Sequence, residues 1–233
     1  IGDLKEGAPA IYQEGPHARE AVAGRYRMFG DRTVGFEIGA YDATRVWVID
    51  PVISYSTYLA GTGLGAVNGV AVDAGGNLYV TGWTEALNFP IVGAVQAANQ
   101  GSVDAFVAKF NPTGTALLYA TYIGGNGEDK GAAIAVNSSG QAHVTGSTAS
   151  ANFPLVLPVR ATRGGTKTVF VLKLNAVGNA LLFSTYLGGT AYEVGTAIAL
   201  DTSSNMYVAG DTQSVNFQLK NAFQATNGGG FDT

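Results

Sequence analysis

The sequence copies itself every 64 residues, with no insertion or deletion between copies. Tyr55-Ser56-Thr57-Tyr58-Leu59-Ala60-Gly61 returns as Tyr119-Ala120-Thr121-Tyr122-Ile123-Gly124-Gly125, and again as Phe183-Ser184-Thr185-Tyr186-Leu187-Gly188-Gly189. Asn88-Phe89-Pro90 returns at the same offset as Asn152-Phe153-Pro154 and Asn216-Phe217-Gln218. A fixed period of this size marks stacked supersecondary units, each of which needs its neighbour to cover an apolar face.

The second copy shows what one unit contains. Ala132-Ala133-Ile134-Ala135-Val136 is an apolar run that stops at Asn137-Ser138-Ser139-Gly140, and Ala142-His143-Val144-Thr145-Gly146 follows. That order predicts a hairpin. A long loop then leads to a strand from Thr168 to Leu174, a turn at Asn175-Ala176-Val177-Gly178, and a last strand from Leu181 to Leu187. Each period therefore holds four strands in two hairpins, rich in the β-branched and aromatic residues that suit pleated surfaces. The 33 glycines fit short strands and tight turns better than helices. Val169 to Leu172 is apolar at successive positions, which suits strands covered on both faces.

Four-stranded antiparallel units covered on both sides are the blades of a β-propeller. The predicted fold class is all-β: a partial β-propeller of four-stranded antiparallel blades with a preceding β-hairpin module. A β-solenoid is the alternative, but its coils are shorter and its parallel stacking leaves no place for antiparallel hairpin turns. The period exceeds the roughly 40–50 residues of common blades. The excess sits between the second and third strands, at 84–103, 148–167 and 212–230. Each of these loops carries Asn-Phe and then a small apolar cluster, such as Val95-Gln96-Ala97 or Phe223-Gln224-Ala225. A packed flap is expected there, because a long structureless loop is unusual in a compact domain.

Residues 1–51 lie outside the period and read as the end of an N-terminal β module. Arg25 to Phe29, a turn at Gly30-Asp31, and Thr33 to Ile38 predict a hairpin with Val34, Phe36 and Ile38 on one face. Val46 to Ile49 predicts a further strand, halted near Pro51 because proline supplies no ladder donor. Residues 52–233 hold the repeats: an outer strand at 52–61, blades at 67–123 and 131–187, and an incomplete blade at 195–233. A closed propeller takes at least four blades. The chain is therefore expected to be a piece of a longer protein, with an exposed blade side and an unpaired edge that the remaining blades of the full-length chain would cover. Its opening, Ile1-Gly2-Asp3-Leu4-Lys5, has neither an initiator Met nor a signal-peptide core and reads as processed or excised.

The strand from Tyr55 to Gly61 with its copies, the stretch Ala71 to Gly82, and Asp104-Ala105-Phe106-Val107-Ala108-Lys109-Phe110-Asn111-Pro112 resemble the SBBP repeats of bacterial proteins. Gly35-Phe36-Glu37-Ile38-Gly39-Ala40-Tyr41-Asp42 and Val48-Ile49-Asp50-Pro51 resemble the module that commonly precedes them. The resemblance covers roughly residues 20–233. It implies a seven-bladed β-propeller in a large exported or surface-associated bacterial protein, often with adhesion-like domains, and it brings no catalytic residues. The copies depart from the family pattern at Leu64-Gly65, where many relatives are acidic, and at Thr168, where Asp104 and Asp232 stand in the other copies. No site transfers residue by residue.

Composition narrows the chemistry. A net charge of -4 leaves no electrostatic footprint for nucleic acid, and no run of Lys or Arg marks a membrane surface. No apolar stretch approaches the length of a membrane span, so no insertion is expected. The absence of cysteine excludes disulfides, thiolate metal sites and a cysteine nucleophile, without fixing the compartment. His17 and His143 are the only imidazoles, so no metal site built on soft ligands is expected, and nothing points to a cofactor. His143 stands where Tyr79 and Tyr207 stand in the other copies and reads as a strand-filling aromatic; His17 reads as solvated.

Gly124-Gly125-Asn126-Gly127-Glu128-Asp129 matches a calcium-binding GGxGxD nonapeptide, but Gly131 occupies the place where that motif needs an apolar residue. The equivalent segments starting at Ala60 and Gly188 do not keep the motif, so a plain connecting turn is expected. Ser56 and Ser184 are strand positions, replaced by Ala120 in the middle copy, which argues against a nucleophile. Turn chemistry explains the sequon Asn137-Ser138-Ser139. Charge remains. Glu128, Asp129 and Glu193 fall between fourth and first strands, Lys130 stands beside them, and Arg160, Arg163 and Lys167 occupy the second long loop. In a propeller both kinds of loop share one face, so these seven are the candidate ligand or partner face. The bland reading is solvated ion pairs, each worth under about 1 kcal/mol.

Three functions fit. The first is a non-enzymatic scaffold of an exported bacterial protein, extracellular or at the cell surface, that binds protein or glycan through its loop face. The second is a propeller enzyme of the lyase, lactonase or glycosidase kind, which needs converging carboxylates or a histidine at the inner ends of the first strands. Gly69-Val70-Ala71, Ala133-Ile134-Ala135 and Ala197-Ile198-Ala199 are small and apolar there, so such a site would lie in other blades. The third is a passive spacer or assembly module.

Overall fold

The computed structural model describes residues 9–15, 18–29, 33–50 and 55–233. Two compact units divide the chain, Ile1–Ser56 and Thr57–Thr233. Among the described residues every regular element is a β-strand.

The first unit holds β1 (Ala10–Glu14), β2 (Arg19–Val22), β3 (Gly24–Phe29), β4 (Thr33–Ile38) and β5 (Trp47–Asp50). β3 and β4 form the expected antiparallel hairpin, with Gly24 opposite Ile38 and Phe29 opposite Thr33. Its turn at Gly30-Asp31 and the stop at Pro51 lie outside the described residues. β1 and β2 were not legible, yet with β5 they make a three-stranded sheet in the order β2-β1-β5. The reason is that one of the two inward residues of β1 is polar. Ile11 and Gln13 are both buried. Gln13 Nε2 donates to the carbonyls of Asp42 (2.7 Å) and Arg45 (3.0 Å), and its Oε1 accepts from the Asp42 N–H (2.8 Å). Left unpaired, such a buried amide would cost about 1–3 kcal/mol; paired, it fixes the loop that leads into β5.

The second unit contains two four-stranded antiparallel sheets and a two-stranded one. The first blade is β6 (Gly65–Val72), β7 (Leu78–Thr84), β8 (Asp104–Phe110) and β9 (Leu117–Ile123). The second is β10 (Asp129–Val136), β11 (Ala142–Thr148), β12 (Thr168–Leu174) and β13 (Leu181–Leu187). The third copy supplies β14 (Glu193–Leu200) and β15 (Met206–Thr212). Pairing repeats at the sequence period: Gly65 lies opposite Thr84, Asp129 opposite Thr148, and Glu193 opposite Thr212. Each first strand bulges at the same place, at Val67/Gly69, Gly131/Ala133 and Gly195/Ala197. The bulge interrupts the alternation, so these strands begin two residues before the hydrophobic pattern suggests.

Of the outer strand expected at 52–61, residues 55–61 carry no strand, and 52–54 lie outside the described residues. A fourth strand needs the third strand of its own blade, as Tyr122 pairs with Phe106 and Tyr186 with Phe170. One period before β8, residues 40–46 are a turn of the first unit, so among the described residues no third strand precedes the Tyr55 segment.

Blades gain two-sided burial from two sources. On one face the first blade meets the second, where Tyr79, Tyr119, Ile134 and Val144 share one buried cluster. The Tyr79 hydroxyl donates to the Gly140 carbonyl across that junction (3.2 Å), and Asn68 Nδ2 donates to the Gly131 carbonyl (2.8 Å). On the other face the blade is covered by its own long loop: Ala86, Phe89 and Ile91 pack on Val80, Phe106 and Tyr122. The loop is thus the packed flap that the sequence predicts. It also bonds the outer edge of the fourth strand, where Val92 and Ala120 exchange backbone hydrogen bonds at 3.1 and 2.8 Å, as Val156 and Ser184 do. An edge so occupied is protected from pairing with foreign strands.

Candidate functional site

The seven charged candidates do not form one surface. Asp129 and Glu193 are fully buried, which corrects their placement on a solvent-facing loop. Asp129 Oδ2 accepts from the Gly125 N–H (2.8 Å) and the Ser150 hydroxyl (2.6 Å), and the Gly127 N–H donates to Ser150 Oγ (2.8 Å). Glu193 repeats this arrangement, accepting from the Gly189 N–H (3.0 Å) and the Ser214 hydroxyl, while the Ala191 N–H donates to Ser214 Oγ (2.8 Å). An acid at the start of the first strand and a serine just past the second therefore staple the connecting turn to the flap. Charge-assisted bonds of this kind are the strong ones. In the first copy the two positions are Gly65 and Ala86. The calcium-like glycine run is accordingly a turn closed by its own aspartate.

Asp104 lies beside this staple and is also fully buried. It accepts from Gln96 Nε2 (2.8 Å), the Gln100 N–H (2.9 Å) and the Gly101 N–H (3.2 Å). Burial pushes its carboxyl up to about 6, and the charge of Asp129 adds to the rise. Burial likewise pushes Asp129 up. Neither carboxyl lines the clefts of about 510 and 280 Å³ in this unit.

Glu128, Lys130 and Lys167 are the candidates the fold brings together. Glu128 meets Lys167 Nζ at 2.5 Å and Lys130 Nζ at 2.9 Å. The hydrogen bond from Lys167, then that from Lys130, holds the Glu128 carboxyl below its ordinary range. Lys130 lies over the Trp83 ring (4.8 Å to its centroid) and Lys167 over that of Tyr192 (5.7 Å). The trio thus links all three copies. Arg160 and Arg163 stay apart from it. Arg160 donates to the carbonyls of Thr162, Gly188 and Gly189, and Arg163 to those of Gly165 and Thr166. Both hold loop backbone in place.

The remaining candidates resolve as structural. His143 is buried with Nδ1 3.1 Å from the Gln141 carbonyl, and burial lowers its pKa. His17 lies outside the described residues. The Ser184 hydroxyl donates to the Pro154 carbonyl (2.7 Å). Asn137 Oδ1 accepts from the N–H groups of Ser139 and Gln141, closing its turn. Among the described residues no group of three His, Cys, Asp or Glu side chains is arranged to hold a metal ion, and no helix is long and apolar enough to cross a membrane. Phe217 lines the 510 Å³ cleft, whereas its counterparts Phe89 and Phe153 stack on Phe106 and Phe170 with centroids 4.7 Å apart.

The surface feature that charge reasoning missed is apolar. Leu87, Leu157, Val159 and Val215 stand exposed on the flaps. Leu157 is 79% exposed, and its backbone is left-handed at φ 48°. The same position in the other flaps holds Gly93 (φ 55°) and Asn221 (φ 53°), the residue types that tolerate this conformation. A leucine where the other copies have Gly and Asn was the available signal.

Comparison with known proteins agrees with this architecture. No curated protein matches the chain. Residues 118–154 and 182–218 each match the SBBP family, described as a beta-propeller repeat. Residues 1–52 match DUF7948, a domain of unknown function. The chain thus carries SBBP β-propeller repeats preceded by a DUF7948 domain.

Proposed function

We propose that the propeller unit is a non-enzymatic scaffold that binds a protein partner through its flaps, and that it works outside the cell, the setting its resemblance to bacterial SBBP proteins implies. One observation carries the binding reading. Leu157 is held in a left-handed backbone that costs a non-glycine residue roughly 1–2 kcal/mol, and most of its side chain faces solvent. Folding gains little from a bulky apolar group so placed, whereas recognition by a partner would. Strain of this kind concentrates at binding sites. Val159 beside it is exposed as well, and two adjacent aliphatics favour a protein surface over a glycan. The flap that presents them is pinned by the Val156–Ser184 exchange and by the Tyr186 hydroxyl, which donates to the Ser150 carbonyl (2.8 Å). A preordered surface loses little entropy on binding.

The test is a binding screen of the chain against envelope proteins and surface glycans, repeated with Leu157→Gly. The expected outcome is a protein binder whose affinity falls at least about tenfold in the variant, with thermal stability kept or raised. Binding that Leu157→Gly leaves unchanged, or no binder at all, would sink the proposal.

A further inference from the structure

We propose that the chain binds a calcium ion between two turns that the fold lays side by side: the end of the first flap, at 101–104, and the connection between the first two blades, at 125–129. Val103 and Glu128 pair in parallel across them, so Asp104 and Asp129 follow each other on adjacent segments. Both side chains are fully buried. A Cβ on Gly124 would lie 2.6 Å from Asp104 Oδ1 and 2.8 Å from Asp129 Oδ2. A Cβ on Gly101 would meet Asp104 Oδ1 again (3.3 Å), together with the carbonyl oxygens of Gly125 (2.8 Å) and Gly127. Two carboxyls and two carbonyls thus crowd one small region between the glycines. Calcium takes six to eight oxygen ligands of these kinds, with water completing its shell. The backbone supplies what a third acidic side chain would.

Two further observations point to a cation. First, Asp129 Oδ1 is buried and has no hydrogen-bond partner. An acceptor left so is costly unless a ligand takes it. Second, the next junction of the same fold carries a cation of its own. There Thr168 stands for Asp104, Arg160 for Gln96, and Glu193 for Asp129. The Arg160 guanidinium donates to the carbonyls of Gly188 and Gly189, the counterparts of Gly124 and Gly125.

The second junction therefore holds one buried acid with a guanidinium against its turn. The first holds two buried acids, with the neutral Gln96 at the guanidinium's position. The exchange is paired, because Gln224 and Asp232 return together in the third copy. An acid at one position goes with the loss of the protein's own cation at the other. Two ionised carboxylates buried without a counter-charge are unfavourable, and a bound dication neutralises both. A set of mixed carboxylates and carbonyls suits the flexible shell of calcium better than the strict octahedron of magnesium.

Isothermal titration calorimetry of the full 233-residue chain, treated with chelator and held at pH 8, tests this. Calcium chloride should bind saturably at a single site, with a Kd on the order of 10⁻⁴–10⁻³ M. Calcium at 10 mM should then raise the melting temperature. Magnesium chloride should bind at least about tenfold more weakly. Asp104→Asn should weaken calcium binding at least about tenfold, with melting curves in chelator showing it folded. Gln96→Arg combined with Asp104→Thr installs the residues of the second junction. That variant should lose the calcium response and melt in chelator no lower than the parent. No saturable calcium binding, magnesium equal to calcium, Asp104→Asn binding like the parent, or a calcium response kept by the double variant would each overturn the inference.

Discussion

Asp104 Oδ1 and Asp129 Oδ2 lie 2.6 and 2.8 Å from a single point, the place a Cβ on Gly124 would occupy. Two buried carboxyls this close cannot both ionise cheaply, and each is pushed up by burial, Asp104 to about 6. An unfolded aspartate titrates near 3.9. With the folded value raised, the stability from this pair is fully present below the unfolded value and is lost as pH rises through about 6. Urea melts between pH 4 and pH 7 should therefore show stability falling as pH rises across that window. Asp104→Asn removes one charge while its amide oxygen can still accept from Gln96 and Gln100, and its NH2 takes the place of the oxygen that faces Asp129 and the Gly101 N–H. It should flatten that slope and match or exceed the parent at pH 7. An unchanged slope would mean that Asp104 does not titrate across that window.

The blade junction makes its own prediction through Gly131. A Cβ there would collide with Thr81 Oγ1 and come within 3.1 Å of the Gly82 carbonyl oxygen. Thr81 cannot simply turn away, because its hydroxyl donates to the Phe106 carbonyl (2.8 Å). Gly131→Ala should lower unfolding stability by about 1–3 kcal/mol, although alanine is ordinarily the better strand residue. Thr81→Ala in the same chain should recover part of the loss, and equal stability of Gly131→Ala and parent would refute the packing.

How much of this could be read beforehand follows from what periodicity reports. The exact spacing of Tyr122 and Tyr186, or of Phe89 and Phe153, places four strands and a flap in each copy, because these residues repeat for packing reasons. The pattern failed where burial was polar or a partner strand was missing. Gln13 hid β1, and the Tyr55 segment copied a strand's sequence without a third strand beside it. Charge misled at the site for a related reason. Asp129 and Glu193 look like loop acids, yet each turns inward to collect amides from its own turn. At Leu157 the sequence shows only a leucine where the other copies have Gly93 and Asn221; the left-handed backbone that makes it unusual is not legible there.

The flap's anchor can be tested at Tyr122. Its buried hydroxyl donates to the Ala86 carbonyl (2.6 Å) and accepts from the Phe89 N–H (2.9 Å), so one oxygen serves two buried backbone groups. Tyr122→Phe leaves both unpaired and should cost about 1–3 kcal/mol. Hydrogen exchange at the Phe89 amide should quicken more than exchange in β7. Tyr58 holds the equivalent repeat position but is fully exposed. Tyr58→Phe should change stability by less than about 0.5 kcal/mol. Equal effects at the two tyrosines would show that the hydroxyl, not the ring, is irrelevant to the flap.

The strain at Leu157 sets the last prediction. Relieving a left-handed non-glycine residue returns roughly 1–2 kcal/mol, while glycine's greater freedom in the unfolded chain takes back about 0.5–1 kcal/mol. Little burial is lost, because the leucine side chain is exposed. Leu157→Gly should therefore gain roughly 0.5–1 kcal/mol in a urea melt. Asn221 shares the same left-handed conformation (φ 53°) and is exposed. Asn221→Leu should move in the opposite direction, a loss of about 1 kcal/mol. If Leu157→Gly destabilises the chain, the leucine is held by packing and not by strain, and the argument that reserves it for a partner loses its footing.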